Sequence, residues 1–342
     1  MNTFTNPRVA IVGATGAVGT TMLSILTERG FPMADLRLMA SSRSAGRVVE
    51  TEWGDVEIED LESADPTGVD IALFSAGGAR SLEYGPKFAS AGATVIDNSS
   101  AFRMDDSVPL VVAQVNDYAI ADNEGIVANP NCTTMVIMMA AGPLHRAAGM
   151  RTLVATSYQS VSGSGQTGIT QLASEIDFHG KNRDGLVSGH WEEPDGNLYA
   201  RPIGYNVLPL AGSMGDAGYT DEEWKLVNET RKILDRDDIK VEPTCVRVPV
   251  MVGHGISATM WFDRRVDLDE AVAVLGDAPG MQLWDDTNVP TPLDSAGIDD
   301  ILVGRLRETV GYPGGVSLFA IGDNLRKGAA LNAVQLAELL LA

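Results

Sequence analysis

Cysteine and histidine are scarce in this chain. Only Cys132 and Cys245 occur among 342 residues, so at most one bridge can form and a disulfide-stapled scaffold is excluded. Two thiols in a chain of this length fit a reducing compartment. The four histidines form no pair with acids at the spacing of metal ligands, and we therefore expect no catalytic metal.

Long apolar runs are missing as well. The longest, such as residues 135–142 and 336–342, are far shorter than the roughly 18 residues of a membrane-spanning helix, so no membrane passage is expected. The first residues contain no basic stretch followed by an apolar one. We therefore expect no signal peptide and a cytoplasmic protein.

Positive charge is in deficit. Lys and Arg number 25 against 46 Asp and Glu, which gives a formal net charge of −21. A negative overall field repels nucleic acid and anionic lipid, so neither is an expected partner, although a local basic pocket for a phosphate stays compatible with this charge. The acidity itself fits solubility or a saline cytoplasm and identifies no function.

Alternating strand and helix patterns are what the chain does have, in a length that suits two domains. Such alternation is typical of a parallel sheet covered by helices. Residues 181–218, rich in Gly, Pro, Asp and Asn, predict an extended excursion. Strand patterns lie at residues 8–12, 36–40, 69–75, 93–97, 152–159, 244–250 and 256–264, and helical patterns at 20–29, 79–91, 133–148, 224–234 and 324–341.

A glycine-rich turn separates the first strand from the first helix. Its G-x-x-G-x-x-G pattern lets backbone amides approach a pyrophosphate at a helix N-terminus. The pattern therefore predicts a dinucleotide site, whereas a merely tight turn is the alternative. The predicted contacts are Gly13, Thr15, Gly16, Ala17, Val18 and Gly19.

The end of the second strand predicts which dinucleotide is bound. An NAD enzyme places an acid there, and this chain has Ser41, Ser42, Arg43 and Ser44. Hydroxyls and a guanidinium bind a phosphate dianion that a carboxylate would repel, so we predict NADP. An exposed polar loop is the alternative, and comparing NADPH with NADH turnover distinguishes the two.

Cys132 is the candidate nucleophile. It follows Asn129-Pro130-Asn131 and precedes an apolar helical pattern, so its sulfur is expected at or near a helix N-terminus. The helix dipole lowers the pKa of a thiol there and favours the thiolate. A small buried hydrophobic residue is the alternative, and we assign that role to Cys245.

His254 is the candidate acid and base. It lies between Gly253 and Gly255 at the end of a predicted strand, where an imidazole can project from a turn. His145, His179 and His190 fall in a helical pattern or in the excursion and are interpreted as surface or packing residues.

Five motifs stand in order along the chain: VGATGAVG at 12–19, SSAFR at 99–103, NPNCTT at 129–134, SYQSVSG at 157–163 and RVPV with Gly-His at 247–254. With these motifs the chain resembles the aspartate-β-semialdehyde dehydrogenase family from Val9 to the last helix. One departure is Ser42, where many relatives have alanine, a change that should leave phosphate binding intact.

The resemblance implies a reaction. It is the reversible reductive dephosphorylation of L-aspartyl 4-phosphate to L-aspartate 4-semialdehyde with NADPH, on the route to lysine, methionine and threonine. Cys132 would attack the acyl carbon and expel phosphate, and the resulting thioester would be reduced. His254 would act as acid and base, and Gln159 would orient the acyl group.

The resemblance also implies substrate and cofactor contacts. Arg247 would bind the substrate α-carboxylate and Glu222 its α-amino group, with Glu223 as an alternative by composition. Arg103 and Lys225 would bind the phosphate, although Glu222 and Lys225 alone are also typical of a surface ion pair. On the cofactor side, the implied contacts are Ser162, Gly163 and Asn324.

The expected architecture is α/β. We predict a Rossmann-type NADP-binding domain of residues 1–133 plus 324–342, with an inserted α+β catalytic and dimerisation domain of residues 134–323 that contains a mixed sheet. The resemblance implies at least a homodimer.

Two other functions remain open. An N-acetyl-glutamyl-phosphate reductase would share the fold and thiol chemistry but would not need an acid for a free α-amino group. A non-catalytic paralogue that binds dinucleotide would have no need of a thiol at a helix start. A substrate assay and a thiol titration distinguish these alternatives.

Overall fold

The computed structural model describes residues 4–285 and 287–342, which form two compact units. The first unit comprises Met1–Gly142, Asn228–Asp237 and Leu325–Ala342, and the second comprises Pro143–Val227 and Asp238–Asn324. The domain boundaries expected from the sequence stay a prediction.

Strands and helices are interspersed along the chain, with four successive strands between the first two helices. The strands are β1 (Arg8–Val12), β2 (Asp35–Ala40), β3 (Val48–Thr51), β4 (Gly54–Asp60), β5 (Ile71–Phe74), β6 (Thr94–Asp97), β7 (Ile126–Ala128), β8 (Met150–Gln159), β9 (Lys240–Arg247), β10 (His254–Phe262), β11 (Met281–Leu283), β12 (Ile301–Glu308) and β13 (Gly315–Gly322). The helices are α1 (Ala17–Glu28), α2 (Gly78–Ser90), α3 (Cys132–Ala148), α4 (Gly165–Gly180), α5 (Arg183–Ser188), α6 (Asp221–Ile233), α7 (Leu268–Gly276), α8 (Pro292–Ser295) and α9 (Leu331–Glu338).

The first unit is built on a sheet of order β3-β4-β2-β1-β5-β6-β7. Its neighbouring strands are parallel except for β3 and β4, which form an antiparallel hairpin. β1 and β5 are buried nearly throughout, as expected for central parallel strands that are covered on both faces. The strand order reverses between β1 and β5, and ligands of such sheets bind at this switch point.

The core of the first unit fixes α1 against the sheet. Met22, Ile25 and Leu26 of α1 are fully buried in the same apolar cluster as Ile11 and Leu38. Leu331 and Val334 of α9 belong to this cluster as well. The position of the N-terminus of α1 is therefore set by the packing of its apolar face.

The second unit is built on a mixed sheet of order β11-β12-β13-β10-β8-β9. β8 and β9 are parallel, as are β11 and β12, whereas β10 and β13 pair antiparallel to their neighbours. Buried and exposed residues alternate along β8, which indicates a sheet with one covered face.

The α/β fold class predicted from the sequence is confirmed, and most predicted elements are present. The last helix differs: a π-type turn at Arg326–Ala330 precedes α9, so regular helix begins later than residue 324. The sequence pattern does not predict the hairpin β3–β4, nor α4, α7, α8, β7 and β11 to β13, and α5 lies within the segment 181–218 that it predicts as an extended excursion. Within the described residues, no helix is both long and apolar enough to cross a membrane.

Candidate active site

The turn after β1 requires glycine at two positions. Gly13 has a φ of +90°, and a Cβ there would lie 2.3 Å from the carbonyl oxygen of Ser75. A Cβ on Gly19 would lie 2.2 Å from the carbonyl oxygen of Gly13. Because both distances are far inside van der Waals contact, only glycine lets the turn pack against β5 and α1.

The N-terminus of α1 has no side-chain cap. Gly16 is the N-cap residue and carries no hydrogen-bonding side chain, and the first turn of α1 contains no acid. The first amides of a helix lack intrahelical acceptors, here those of Ala17, Val18 and Gly19. Together with the positive end of the helix dipole, these amides provide a binding site for a pyrophosphate.

A cavity of about 180 Å³ lies beside this turn. Its lining contains hydroxyls, two guanidiniums and, among the described residues, no acid, which fits a phosphorylated dinucleotide. Ser42 and Ser44 do not line the cavity, but Ser44 donates its amide to the Ser41 carbonyl at 2.8 Å in the same turn. The lining residues are Gly13, Thr15, Gly16, Ala40, Ser41, Arg43, Leu61, Ser75, Ala76 and Arg80.

Cys132 is the first residue of α3 and is partly exposed. The preceding residue caps the helix: the Asn131 Oδ1 accepts a hydrogen bond from the Thr133 amide at 2.9 Å. The first turn of α3 contains no acid that would oppose a thiolate. The predicted position at a helix N-terminus is therefore confirmed, and the dipole favours the ionised thiol there. Cys245 is buried inside β9, as expected.

Arg103 is buried and holds the loop that leads to Cys132. Its Nε donates to the Asn129 carbonyl at 2.9 Å, and its Nη2 donates to the Asn98 carbonyl at 3.0 Å. Its Nη1 donates at 3.0 Å to Glu229 Oε1 in α6, within the first unit. These bonds use three of the five N–H groups of a guanidinium, so Arg103 retains donors for an anionic ligand.

Glu229 contacts the residue before the thiol as well. Its second oxygen, Oε2, accepts a hydrogen bond from the Asn131 amide at 2.7 Å, and the side chain is almost completely buried. One carboxylate therefore positions both Arg103 and the start of α3. Sequence reasoning missed Glu229, because nothing local distinguishes it from the other acids of a charged helix.

His254 lies in the second unit as the first residue of β10 and is fully buried. It lies next to Gly253 at the end of a strand, as expected, although that strand is the one it begins and not the one before it. Its Nδ1 accepts a hydrogen bond from the Ser160 amide at 3.1 Å. Because a backbone N–H only donates, the proton of the neutral ring is on Nε2. Nε2 has no hydrogen-bond partner among the described residues.

Burial determines the charge of His254. Loss of water, reinforced by the positive charge of Arg247, lowers the pKa of His254 to about 3. The imidazole is therefore neutral near pH 7 and presents an Nε2–H donor. A fixed, desolvated donor of this kind can stabilise an oxygen that gains negative charge.

Asn324 fixes the backbone around His254. Its Oδ1 accepts hydrogen bonds from the Ser160 Oγ at 2.9 Å, the Ser162 Oγ at 3.0 Å and the Gly253 amide at 2.9 Å. The structure thus brings together Ser162 and Asn324, two predicted cofactor contacts. Ser160, which sequence reasoning did not select, connects them to the imidazole through its amide.

Arg247 is the last residue of β9 and lies close to the segment that contains Ser160 and Gly163. Its Nη1 donates to the Ser160 carbonyl at 2.9 Å, whereas its buried Nε has no hydrogen-bond partner among the described residues. A Cβ on Gly163 would lie 3.1 Å from Arg247 Nη1 and 3.4 Å from His254 Nε2. Glycine therefore keeps the space beside both donors open.

Gln159 is the last residue of β8 and is buried. Its Nε2 is 3.3 Å from the Ser157 Oγ, a long hydrogen bond. The amide is neutral and offers both a donor and an acceptor. It is therefore suited to orienting an acyl group without transferring a proton.

Glu222 and Glu223 are adjacent acids in the first turn of α6, and they have different partners. Lys225 Nζ lies 2.6 Å from Glu222 Oε1 and 2.7 Å from Asp221 Oδ2. Burial lowers the pKa of Lys225, but these two carboxylates outweigh it and the net pKa is raised. Glu222 and Lys225 thus share one face, as predicted.

Glu223 has a structural role. Its Oε2 accepts a hydrogen bond from the Thr220 amide at 2.8 Å, and the Glu223 amide donates to Thr220 Oγ1 at 3.2 Å, which is a capping box. Its Oε1 accepts a hydrogen bond from the Cys245 amide at 2.9 Å. Both oxygens are therefore occupied by backbone groups, which favours Glu222 over Glu223 as a ligand residue.

No cluster of three or more His, Cys, Asp or Glu side chains with metal-binding geometry is present among the residues that the structure describes.

Comparison with known proteins gives the class. The family described as semialdehyde dehydrogenase, NAD binding domain, matches residues 8–123, and the family described as semialdehyde dehydrogenase, dimerisation domain, matches residues 142–327. Together with the cavity beside the glycine turn, these matches define a nicotinamide-dependent semialdehyde dehydrogenase. They confirm the predicted dinucleotide cofactor and a dimerisation domain.

Full-length relatives give the family. The aspartate-semialdehyde dehydrogenase of Streptomyces akiyoshiensis is 52% identical over 98% of both chains, and that of Corynebacterium glutamicum is 50% identical over 97% of this chain and 98% of its own. The crystal structure of aspartate semialdehyde dehydrogenase II from Vibrio cholerae is similar with a TM-score of 0.92, 43% identity and 98% of both chains covered. The chain belongs to the aspartate-semialdehyde dehydrogenase family, as its motifs predict.

Proposed function

We propose that the chain catalyses the reversible NADP-dependent conversion of L-aspartyl 4-phosphate to L-aspartate 4-semialdehyde and inorganic phosphate. The observation that carries this proposal is a partly exposed thiol at the start of α3, in a unit that also contains a dinucleotide cleft. A related structure of the Vibrio cholerae enzyme is described as complexed with ASA, which supports a small-molecule substrate.

Cys132 forms the covalent intermediate. Its thiolate attacks the acyl carbon, the bond between that carbon and the phosphate oxygen breaks, and phosphate leaves with the bonding electrons. The product on the protein is a thioester. When bound, NADPH supplies the hydride that reduces this acyl group. Expulsion of the Cys132 thiolate then releases the aldehyde, so the sulfur ends in the ionisation state in which it began.

His254 donates a hydrogen bond from Nε2 to the acyl oxygen. That oxygen carries negative charge whenever the acyl carbon is tetrahedral, and a neutral buried donor stabilises it. The Ser160 amide keeps the imidazole in this tautomer. Because the sulfur needs no net proton when it enters and leaves as thiolate, the donor role alone is sufficient, in place of the acid and base role expected from the sequence.

The remaining predicted residues bind the ends of the substrate. Arg247 contacts the α-carboxylate with its fork of donors, and Glu222 contacts the α-amino group. Arg103 and Lys225 are assigned to the phosphate, and Gln159 to the acyl group. These assignments are supported by the burial of Arg103, Arg247 and Gln159 and by the structural use of Glu223.

The cofactor assignment is NADP. The glycine turn and the amides of α1 hold the pyrophosphate, and Ser41 and Arg43 in the cavity lining are suited to the 2′-phosphate. Ser42 and Ser44 shape the same turn. Ser162, Gly163 and Asn324 are assigned to the nicotinamide side.

The proposal extends to assembly and location. We infer a cytoplasmic homodimer formed through the dimerisation domain, with the domain boundaries predicted from the sequence. Sedimentation of the purified chain measures the assembly state.

The direct test is phosphate-dependent reduction of NADP by L-aspartate 4-semialdehyde, with arsenate in place of phosphate as a second arm. Cys132→Ala should abolish turnover and leave NADPH binding measurable, because the thiol reacts with the acyl group and does not line the cofactor cavity. Turnover in this variant would contradict the mechanism. Faster turnover of the N-acetylated glutamate semialdehyde would contradict the substrate assignment.

A further inference from the structure

Arg80 lines the dinucleotide cavity although no sequence motif includes it. It is the third residue of α2, its side chain is exposed, and it shares the cavity lining with Ser41 and Arg43. Most of the cavity wall comes from the segments that directly follow strands, and Arg80 is the part of that wall contributed by α2.

The sheet order explains why these two arginines share one cavity. β1 lies between β2 and β5 with all three strands parallel, so the segments that follow them leave the same edge of the sheet. Arg43 follows β2, and Arg80 follows β5 at the start of α2. The two guanidiniums therefore belong to opposite sides of the glycine turn after β1.

Neither guanidinium is paired with an acid in the part of the chain that the structure describes. Among the described residues, Arg43 and Arg80 have no hydrogen bond or ion pair with another side chain. Other arginines of the same unit do, since Arg8 pairs with Asp70, Arg37 with Glu59 and Arg103 with Glu229. In a chain with a formal net charge of −21, two arginines without acid partners in one cavity indicate a site for an anion.

We propose that Arg80 binds the 2′-phosphate of NADP together with Arg43, and that it thereby contributes to the preference for NADP over NAD. This inference rests on the proposed function for the identity of the cofactor. A phosphate dianion offers oxygens to donors on two sides, and hydrogen bonds between charged groups typically change affinity by about tenfold or more. Because Arg80 is exposed, we expect the lower end of that range.

The test is binding of adenosine 2′,5′-bisphosphate and of 5′-AMP to the full chain, measured by calorimetry without turnover. Arg80→Met should weaken bisphosphate binding about tenfold and change 5′-AMP binding less than twofold. Arg80→Lys should recover part of the loss, because it restores the charge without the fork. Lys87→Met is the matched control: it removes one cation from the same helix, about two turns from Arg80, and should leave both affinities unchanged.

Three results would overturn the proposal. Equal weakening of both ligands in Arg80→Met would assign the guanidinium to the adenine ring or the 5′-phosphate, and unchanged bisphosphate binding would remove it from the site. Wild-type protein that binds both ligands equally would also overturn it, because no 2′-phosphate site would exist. If the titrations behave as expected while aspartate semialdehyde is not oxidised, the role of Arg80 is supported and the proposed reaction fails.

Discussion

At the scale of single residues, Glu222 and Glu223 are adjacent acids with different partners, and we expect them to differ in mutants. Glu222→Gln should raise the KM for aspartate semialdehyde about tenfold or more with little change in stability, because it removes a charge proposed to meet the α-amino group. Glu223→Gln should lower the free energy of unfolding by about 1–3 kcal/mol, because two backbone amides lose a charged acceptor. Steady-state kinetics and denaturant unfolding measure the two effects.

The pair of variants is its own control. If Glu223→Gln impaired KM while Glu222→Gln affected only stability, the assignment of the two acids would be reversed. The sequence alone left this choice open, since both acids occupy the first turn of a predicted helix. The structure separates them through the capping box and through the Cys245 amide, a partner 22 positions away.

His254 leads to a prediction about pH at the same scale. Since its pKa is lowered to about 3 by burial, the imidazole does not change charge between pH 5 and 9. We expect no limb of the kcat/KM profile in that range to shift when His254 is replaced by Asn, whose amide can still donate. The variant should lose about 10²-fold in kcat, the typical effect of weakening an oxyanion donor. A limb near pH 6.5 that disappears in His254→Asn would contradict the donor role.

At the scale of elements, the loop before α3 depends on a carboxylate from α6. Glu229 accepts hydrogen bonds from Arg103 and from the Asn131 amide. Glu229→Ala should lower the free energy of unfolding by about 3–5 kcal/mol, because Arg103 would remain buried without its partner. Glu229→Gln should be less destabilising, since its amide oxygen can still accept one hydrogen bond.

A positioning role for Glu229 has a signature beyond stability. Removing a negative charge near Cys132 favours the thiolate, so the pH midpoint of Cys132 alkylation should fall in Glu229→Gln. At the same time kcat should fall about tenfold, because the loop is no longer fixed. Lower kcat with an unchanged alkylation profile would indicate a role in stability alone.

Elements with a local apolar signal were predictable from the sequence. β1, β5 and β6 are short apolar runs, and their residues are buried almost throughout. α4 lacks such a signal because Gly165 and Gly168 in its first turn disfavour helix. This helix forms through tertiary packing, in which Leu172 joins Val161, Ile203 and Leu208.

Strand β12 was missed for a different reason. Arg305 has a φ of +56°, and the register with β13 shifts between Gly304 and Arg307. Such a bulge interrupts the alternation of buried and exposed side chains by which a strand is recognised. The hairpin β3–β4 was missed because its residues are mostly polar or exposed.

The residues of the candidate site likewise fall into those that the sequence suggested and those that only the structure identified. Cys132, Gln159, Arg247 and His254 lie in continuous motifs, so the sequence alone suggested them. Glu229 is 126 positions from Arg103, and Arg80 shares a cavity with Arg43 only because β5 lies beside β1. Both roles depend on contacts between distant segments, which no local pattern contains.

At the scale of the whole molecule, acidification acts on an excess of carboxylates and on four histidines. Ordinary Asp and Glu side chains titrate at about pH 4, so between pH 7 and 5.5 most of them stay ionised. Protons taken up on unfolding in this window therefore go mainly to histidines whose pKa is lower in the folded state than in the unfolded chain.

His254 is such a residue. The pKa of a histidine is ordinarily 6.5, and that of His254 is about 3 in the folded protein. Below pH 6.5 the unfolded chain therefore binds a proton that the folded chain does not bind. Its contribution to stability is complete above that pH and is lost as the pH falls, by about 1.4 kcal/mol per pH unit. The free energy of unfolding of the wild type, measured with denaturant, should therefore fall between pH 7 and 5.5 by about 1 kcal/mol more than that of His254→Asn. His190→Asn, which removes an exposed histidine, should behave like wild type. If the free energy of unfolding changed equally with pH in wild type and in His254→Asn, the imidazole would not be buried as a neutral group.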